Sequence, residues 1–315
     1  MNKDSWYQVK FIRKKRKIRK IVTYQEDSIK LRHLRIKEFL EERVFTSKFT
    51  KAYKKKSSIF KNAKAHMYND IFIKLDIQDF FNSVNHKILL DTLYFELNES
   101  TENPQFSKLE LTKMIHLCSI DKKGIPLGLI TSPTLANIYL KGFDNLLYGI
   151  LKKRNLTNLI YTRYADDLTI SFKYNNQIQE EVVEIIKVVS DLLKKYKLKL
   201  NLKKTKVIDL NVSNHVRITG VSIVKEDFNY RRVSVGRKKI NDLYHDTMRL
   251  YKKLLEQGMV PTIDDSIEKN RIRGMESFIY SIEKKGYENV YSSQMLEHIK
   301  SEGFESLTDL IKRLP

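Results

Sequence analysis

The sequence predicts an α+β fold, in which a mixed body of strands and helices is followed by a smaller helical module. Apolar runs with strand character alternate with amphipathic helical segments up to about residue 235, and helical periodicity dominates after it. Five prolines and ten glycines in 315 residues leave no stretch that resembles a long flexible linker. The hydrophobic content of 41% is ample for a buried core.

The overall charge indicates the class of partner. The chain has 59 Lys and Arg against 38 Asp and Glu, a formal net charge of +21, and a pI near 9.7. An excess of this size is typical of proteins that bind a phosphate backbone. No run approaches the roughly 20 apolar residues of a spanning helix, and the N-terminus lacks a secretory core. We therefore expect a cytoplasmic protein with no membrane partner, in which the lone Cys118 is a core residue.

The first elements are basic and then helical. The stretch 10–20 interleaves Lys and Arg with Phe11, Ile12 and Ile18, and it leads into the strand-like run 21–24. This pattern predicts a basic β-hairpin that clamps phosphates, and a solvated charge run is the alternative. A helix is expected near residues 28–43 because apolar residues recur there at helical spacing.

The middle and the end of the chain are predicted from apolar periodicity and from turn residues. The run 71–77 predicts a buried strand that ends near Asp76. Ser132 and Pro133 predict the cap and first residue of one helix that continues to about residue 147. An amphipathic helix is expected over 178–196 and a single strand over 216–224, and helices follow residue 236 with a break at 258–261.

The most informative stretch is 164–167, Tyr-Ala-Asp-Asp. Alternating runs flank it on both sides, which predicts a β-hairpin with Asp166 and Asp167 at its tip. Two adjacent acids at a turn are most often solvated turn residues. The strand-terminal Asp76 and the positive charge of the chain favour a metal site instead, because carboxylate oxygens are the ligands that Mg²⁺ prefers. Two Mg²⁺ ions about 3.5–4 Å apart can clamp a phosphoryl transfer, so the pattern points to nucleotidyl transfer.

Several spaced motifs resemble those of reverse transcriptases, and more narrowly those of bacterial retrons. The resemblance covers roughly residues 5–235 and rests on the segments 74–81 (Lys-Leu-Asp-Ile-Gln-Asp-Phe-Phe), 164–167, 201–205 and 218–221. The segment 62–66, Asn-Ala-Lys-Ala-His, is similar to the retron NAxxH motif. This likeness implies a right-hand polymerase, with fingers and palm over 1–235 and a helical thumb over 236–315. It also implies an RNA-directed DNA polymerase that copies a cognate noncoding RNA.

The resemblance also implies roles for individual residues. Asp76, Asp166, Asp167 and the backbone carbonyl of Ile77 would bind two Mg²⁺ ions, and Phe81 would be the steric gate that selects deoxynucleotides. Further expected nucleotide-binding residues are Lys17, Arg19, Gly128, Lys203 and Lys204. Expected RNA- or primer-binding residues are Asn62, His66, Gly220, Arg237 and Lys238. The structural alternatives are that His66 and Phe81 are core residues and that 203–204 is a solvated turn.

The expected partners follow from the same likeness. They are the noncoding template RNA, the RNA–DNA product, dNTPs, and an effector or toxin protein of a retron or another antiphage defence system.

One departure from the family pattern lies at Leu127, where the family's loop motif usually carries Gln. An apolar side chain cannot hydrogen-bond the incoming sugar. Gly128, Ser132 and Pro133 are retained, so the loop geometry is expected to survive. The departure leaves two alternatives open: a defence-associated or abortive-infection reverse transcriptase with unusual priming or templating, and a non-catalytic RNA-binding scaffold.

Overall fold

The computed structural model describes residues 6–14, 17–98, 104–174, 178–226, 230–284 and 287–315, without the side chains of residues 14, 17, 19, 287 and 289. The described residues fall into two compact units. One comprises those of 1–62 and 68–212, and the other those of 63–67 and 213–315. No helix in the described part of the chain is long and apolar enough to cross a membrane.

The first unit begins with the predicted hairpin, in which β1 pairs antiparallel with β2. The elements of the first half of this unit are β1 (Tyr7–Lys14), β2 (Lys17–Tyr24), α1 (Asp27–Arg43), α2 (Ile59–Ala65), β3 (Ile71–Gln78), α3 (Phe80–Ser83), α4 (His86–Leu97) and α5 (Lys108–Leu117). Residues 63–65 at the end of α2 cluster with the second unit.

The second half of the first unit completes an antiparallel sheet around β3. Its elements are α6 (Ser132–Tyr139), α7 (Lys141–Lys152), β4 (Ile160–Tyr164), β5 (Asp167–Phe172), α8 (Ile178–Lys195), β6 (Lys199–Leu200), a 3₁₀ turn (Leu202–Lys204) and β7 (Lys206–Asp209). The strands follow the order β4-β5-β3-β6, and β7 also pairs with β3. β3 is buried almost throughout because helices pack on the sheet. Cys118 lies in this core, as predicted.

Two predictions about the helix that follows the 126–133 loop are wrong. Ser132 is the first helical residue rather than the cap, a position that Thr131 takes, and its hydroxyl donates to the Pro126 carbonyl at 2.6 Å. The expected single helix is also two helices, α6 and α7, separated at Leu140 (φ −95°, ψ 5°). The nearest glycine, Gly142, lies within the first turn of α7, so the apolar pattern alone did not reveal the break.

The second unit contains a three-stranded antiparallel sheet and helices. Its elements are β8 (His215–Ile218), β9 (Val221–Lys225), β10 (Arg231–Ser234), α9 (Arg237–Glu256), α10 (Ile263–Glu283), a 3₁₀ turn (Tyr287–Val290), α11 (Ser293–Ser301) and α12 (Leu307–Arg313). The single strand predicted over 216–224 is wrong, because β8 and β9 form a hairpin. Thr219 and Gly220 both have positive φ (45° and 94°), as a two-residue type I′ turn requires.

Candidate active site

Three carboxylates that are distant in sequence meet at one edge of the central sheet. β3 and β5 pair so that Asp76 lies directly opposite Asp167. Asp166 lies in the turn between β4 and β5, and its carbonyl accepts a hydrogen bond of 2.9 Å from the backbone N–H of Ile77. The structure therefore brings together all four residues that the sequence assigned to metal binding.

The turn that carries Asp166 is tight and strained. Tyr164 pairs with Asp167, which leaves Ala165 and Asp166 as a two-residue loop. Ala165 has a φ of 57°, a region that favours glycine, so surrounding contacts have to hold it there. Asp166 is part-buried and Asp167 is exposed, so both carboxylates reach the surface of the unit.

Asp76 is only 6% exposed, and polar groups already surround its carboxylate. Lys204 Nζ donates to one carboxylate oxygen, and Asn201 Nδ2 donates to the other at 3.0 Å. The Asn201 backbone N–H also donates to the Asp76 carbonyl at 2.8 Å. The 3₁₀ turn that contains Lys204 thus provides a positive charge for a carboxylate that burial would otherwise destabilise.

The electrostatics of the site favour a cation. The surrounding protein removes part of the hydration of the Asp167 carboxylate even though the residue is exposed. This loss, followed by the negative charges of Asp166 and Asp76, raises the pKa of Asp167 from its ordinary value of 3.8 to about 6. Among the described residues, no group of three or more His, Cys, Asp or Glu side chains is already arranged around a metal position. The oxygen donors and their mutual repulsion nevertheless fit a hard divalent cation, which would relieve that repulsion.

Phe81 lies in the short helix α3, which follows β3 and its Asp76 in the chain. Its side chain is buried at 9% exposure and its ring centroid is 5.3 Å from that of Phe80. The Phe81 carbonyl accepts a hydrogen bond of 2.8 Å from the Ile125 N–H, which ties α3 to the loop before residue 126. The structure therefore places Phe81 at the edge of the core, where both a gate and a packing role are geometrically open.

The 126–133 loop is held by main-chain contacts with the hairpin. The Val22 N–H donates to the Leu127 carbonyl at 2.8 Å. Gly128 has a φ of +105°, and a Cβ there would lie 2.1 Å from the Val22 carbonyl oxygen, so only glycine fits. The Leu127 side chain packs against the core. The loop geometry therefore depends on its backbone, and the Gln-to-Leu departure leaves it in place.

A pocket of about 250 Å³ opens next to Leu127. Its lining includes Lys20, Asn82, Asp121 and Lys123, and Lys20 lies 3.6 Å from the Asp121 carboxylate. A second, larger groove of about 730 Å³ adjoins Tyr164. Its lining includes Lys37, Lys51, Tyr53, Lys54, Lys55, Pro133 and Asn137.

Not all predicted residues join this site. The side chains of Lys17 and Arg19 lie outside the described residues, although both positions belong to β2. Lys203 is exposed in the 3₁₀ turn. Asn62 and His66 are buried at 1% and 0% exposure, which favours the structural alternative for His66.

The last three predicted residues belong to the second unit. Gly220 lies in the β8–β9 turn, and Arg237 and Lys238 are exposed at the start of α9.

Three residues at or next to the site had no role predicted from the sequence. Asn201 contacts Asp76. Tyr53 lies near Asp166: burial first, and then the charge of Asp166, raises the pKa of its phenol. Arg163 is fully buried and its guanidinium is paired with Asp144. An arginine within an otherwise uncharged strand was the available signal for this last pair.

Comparisons with known proteins point to one family. Residues 12–230 match the family described as reverse transcriptase (RNA-dependent DNA polymerase). The chain is 25% identical over 278 residues to the retron Ec83 reverse transcriptase of Escherichia coli, covering 84% of this chain and 81% of the relative. It is 25% identical over 286 residues to the retron Ec86 reverse transcriptase of the same organism, covering 90% and 79%.

A solved structure of similar fold is apo telomerase from Candida tropicalis, with a TM-score of 0.54 and 12% identity. The match covers 98% of this chain but only 63% of the telomerase chain. At this identity the likeness concerns the fold alone. Together, these findings confirm the α+β polymerase fold and the retron-type resemblance that the sequence predicted.

Proposed function

The chain belongs to the reverse transcriptase (RNA-dependent DNA polymerase) family, and we propose that it copies a cognate noncoding RNA into DNA by two-metal nucleotidyl transfer. The observation that carries this proposal is the register of the central sheet, which sets Asp76 opposite Asp167 with Asp166 at the adjoining turn. No packing requirement explains three acids at one sheet edge, since loss of hydration, followed by the negative charges of Asp166 and Asp76, raises the pKa of Asp167.

Asp76, Asp166, Asp167 and the Ile77 carbonyl are the groups that would hold the metal. Two Mg²⁺ ions bound there would lower the pKa of a primer hydroxyl and neutralise the leaving pyrophosphate. The hydrogen bond from the Ile77 N–H to the Asp166 carbonyl keeps the turn against β3. Lys204, which contacts Asp76, would donate a proton to the departing pyrophosphate.

Phe81 would stack under the sugar of the incoming nucleotide and leave no room for a 2′-hydroxyl. Lys20 and Lys123 in the smaller pocket offer positive charge for its phosphates, together with Lys17 and Arg19 of the hairpin. Leu127 supplies an apolar wall instead of a hydrogen bond. The larger groove joins several lysines to the Tyr53 ring, a combination that suits a single-stranded template.

The partners proposed for the whole protein follow from the names of its relatives. Relatives named retron reverse transcriptases support an RNA template. A specific noncoding RNA as that template, an RNA–DNA product, and a role in antiphage defence with an effector or toxin protein complete the proposal. In this proposal residues 1–235 form the fingers and palm. Residues 236–315 form the thumb, whose basic residues, including Arg237 and Lys238, would bind the duplex backbone.

The decisive experiment measures dNTP incorporation on an RNA template with Mg²⁺. Wild-type protein should extend the primer, and the Asp166→Ala, Asp167→Ala double variant should not. Equal activity of the two proteins would refute the metal assignment. Sequencing of the nucleic acid that copurifies with the protein should then recover one small RNA and DNA templated by it.

Leu127 keeps one alternative open, a non-catalytic RNA-binding scaffold. That function predicts tight RNA binding without incorporation of nucleotides on any template. Wild-type inactivity together with nanomolar RNA affinity would favour it over the polymerase.

A further inference from the structure

A fully buried arginine, Arg163, lies next to the β4–β5 turn that carries Asp166, called the carboxylate turn below. Arg163 is in β4, two residues before Ala165, and it is the bulkiest of the fully buried side chains in the described part of the chain. A buried guanidinium needs a partner, because burying an unpaired charge costs several kcal/mol. Asp144 of α7, which is also 0% exposed, provides that partner through two hydrogen bonds, Nε to Oδ1 at 2.8 Å and Nη2 to Oδ2 at 2.9 Å.

The ion pair is held from both sides. The Tyr161 hydroxyl donates to Asp144 Oδ1 at 2.7 Å. The Arg163 backbone is also fixed, since its N–H donates to the Phe49 carbonyl at 2.9 Å and its carbonyl accepts from the Lys51 N–H at 2.7 Å. The side chain and the backbone of Arg163 therefore have little freedom.

The third guanidinium nitrogen of Arg163, Nη1, does not contact Asp144 and instead reaches the carboxylate turn. Arg163 Nη1 donates to the Ala165 carbonyl at 3.3 Å and to Asn137 Oδ1 at 3.2 Å. Ala165 is the residue with the strained φ of 57°, and its carbonyl leads directly into Asp166. A charged donor that fixes this carbonyl therefore fixes the orientation of the peptide that carries the first catalytic acid.

Asn137 extends the contact to the wall of the larger groove. Its Oδ1 accepts from the Thr50 hydroxyl at 2.9 Å, and its Nδ2 donates to the Ala52 carbonyl at 3.0 Å. Asn137 is 1% exposed, so these bonds are buried. The segment 50–52, helix α6 and the carboxylate turn thus share one hydrogen-bonded network.

Stability alone does not explain this arrangement. A buried ion pair is often replaced by apolar residues without loss of stability, so such a pair is weak evidence for a stabilising role. We propose that Arg163, held by Asp144, is a positioning residue that sets the turn so that Asp166 and Asp167 face Asp76. This inference rests on the proposed polymerase function and adds a residue that touches neither metal nor substrate.

The central test replaces the pair with apolar side chains. In the Arg163→Met, Asp144→Leu double variant no charge is left unpaired, but the buried Tyr161 hydroxyl loses its acceptor, so the protein should fold with a modestly lowered thermal midpoint. Turnover should nevertheless fall by about 100-fold, since a displacement near 1 Å can cost that much. Wild-type turnover in a folded double variant would overturn the proposal.

A second variant keeps the test open if the double variant does not fold. Arg163→Lys retains the charge opposite Asp144 but cannot donate at the same time to the carboxylate and to the Ala165 carbonyl. It should fold, lose at least about tenfold in kcat, and change the KM for dNTP by less than about threefold. A kcat within threefold of the wild-type value would also overturn the positioning role.

A metal-binding readout separates this inference from the polymerase proposal. Mn²⁺ binding without nucleotide, followed by electron paramagnetic resonance, should weaken by about tenfold in Arg163→Lys. The matched control is Arg154→Met, which removes the Arg154–Glu181 bond of 2.9 Å just after α7 and should leave Mn²⁺ affinity and turnover unchanged. An inactive wild type would refute the polymerase function alone, whereas unchanged Mn²⁺ affinity in Arg163→Lys would refute the positioning role.

Discussion

The site has two regions, a metal side that carries Asp76, Asp166 and Asp167 and a nucleotide side formed by the 126–133 loop. Different kinds of contact hold them in place. On the metal side, strand pairing sets Asp76 opposite Asp167, and the side chains of Lys204 and Asn201 contact the Asp76 carboxylate. On the nucleotide side, backbone contacts hold the loop: the Leu127 carbonyl accepts a hydrogen bond from the Val22 N–H, and Gly128 packs against the Val22 carbonyl. The difference explains why a family Gln can be replaced by Leu127 without loss of the loop, whereas no carboxylate has an evident substitute.

The largest expected effect tests the metal side. Asp167→Asn should reduce dNTP incorporation by about 10³-fold or more, because a carboxylate that holds a catalytic cation contributes several kcal/mol. The pKa of Asp167 is raised in the folded protein, so its ionised form destabilises the fold above pH 6 and not below pH 3.8. The thermal midpoint of Asp167→Asn at pH 7.5 should therefore be equal to or higher than that of the wild type.

Asp209→Asn is the matched control for this prediction. Asp209 belongs to the same sheet but pairs with Ile71, at the other end of β3 from Asp76. The replacement of Asp209 should leave dNTP incorporation within about twofold of the wild-type value. A comparable loss in both variants would mean that the sheet, and not the site, had been disturbed.

The next effect tests the backbone on the nucleotide side. Gly128→Ala combines an unfavourable φ with a clash against the Val22 carbonyl, and we expect a loss of about 3 kcal/mol in the free energy of unfolding, measured with urea. Gly220→Ala provides the comparison, since its φ is +94° but no atom lies within 4 Å of the added Cβ. That variant should lose only about 1 kcal/mol. Equal losses of unfolding free energy in the two variants would show that close packing of the 126–133 loop against Val22 does not require glycine at position 128.

Acid should weaken metal binding before it unfolds the protein. Because the pKa of Asp167 is about 6, protons compete with the cation below that pH, and Mn²⁺ affinity should fall about tenfold per pH unit there. Electron paramagnetic resonance between pH 5 and 8 measures this dependence. A flat profile across the range would remove Asp167 from the ligand set.

The gate hypothesis predicts a smaller and more specific change. Phe81→Ala should lower the preference for dNTP over rNTP by about 10- to 100-fold, because the ring no longer excludes the 2′-hydroxyl. Phe80→Ala is the control: Phe80 lies deeper in the core at 2% exposure, and its loss should reduce stability without relaxing sugar selection. Unchanged selectivity of Phe81→Ala in single-nucleotide incorporation would leave Phe81 as a packing residue.

The smallest expected effect is that of Leu127→Gln. The side chain is only partly buried and the loop is held by its backbone, so the free energy of unfolding should fall by about 1 kcal/mol or less. If the Gln restores a hydrogen bond to the sugar, the KM for dNTP should decrease by about threefold in steady-state assays. A collapse of stability would contradict the backbone-held loop.

Most of the site could be predicted because its elements have strong local patterns. Strand-like runs before Asp76 and around Asp166 fold as expected, and their antiparallel pairing accounts for the meeting of the acids. Element boundaries that no turn residue or capping residue marks could not be predicted from the sequence. Leu140 ends a helix within an apolar run, and Thr219 adopts a positive φ that its residue type does not favour.

The sequence by itself determined the family, the strands that carry the acids and the basic character of the chain, since these depend on residue type and on spacing. Only the tertiary structure decided which polar groups surround each carboxylate. Lys204 and Asn201 reach Asp76 from more than 120 residues away, and Asp144 of α7 and Asn137 of α6 reach Arg163 of β4. The physical reason is that a buried charge is paired through space, whereas a periodic pattern reports only neighbours along the chain.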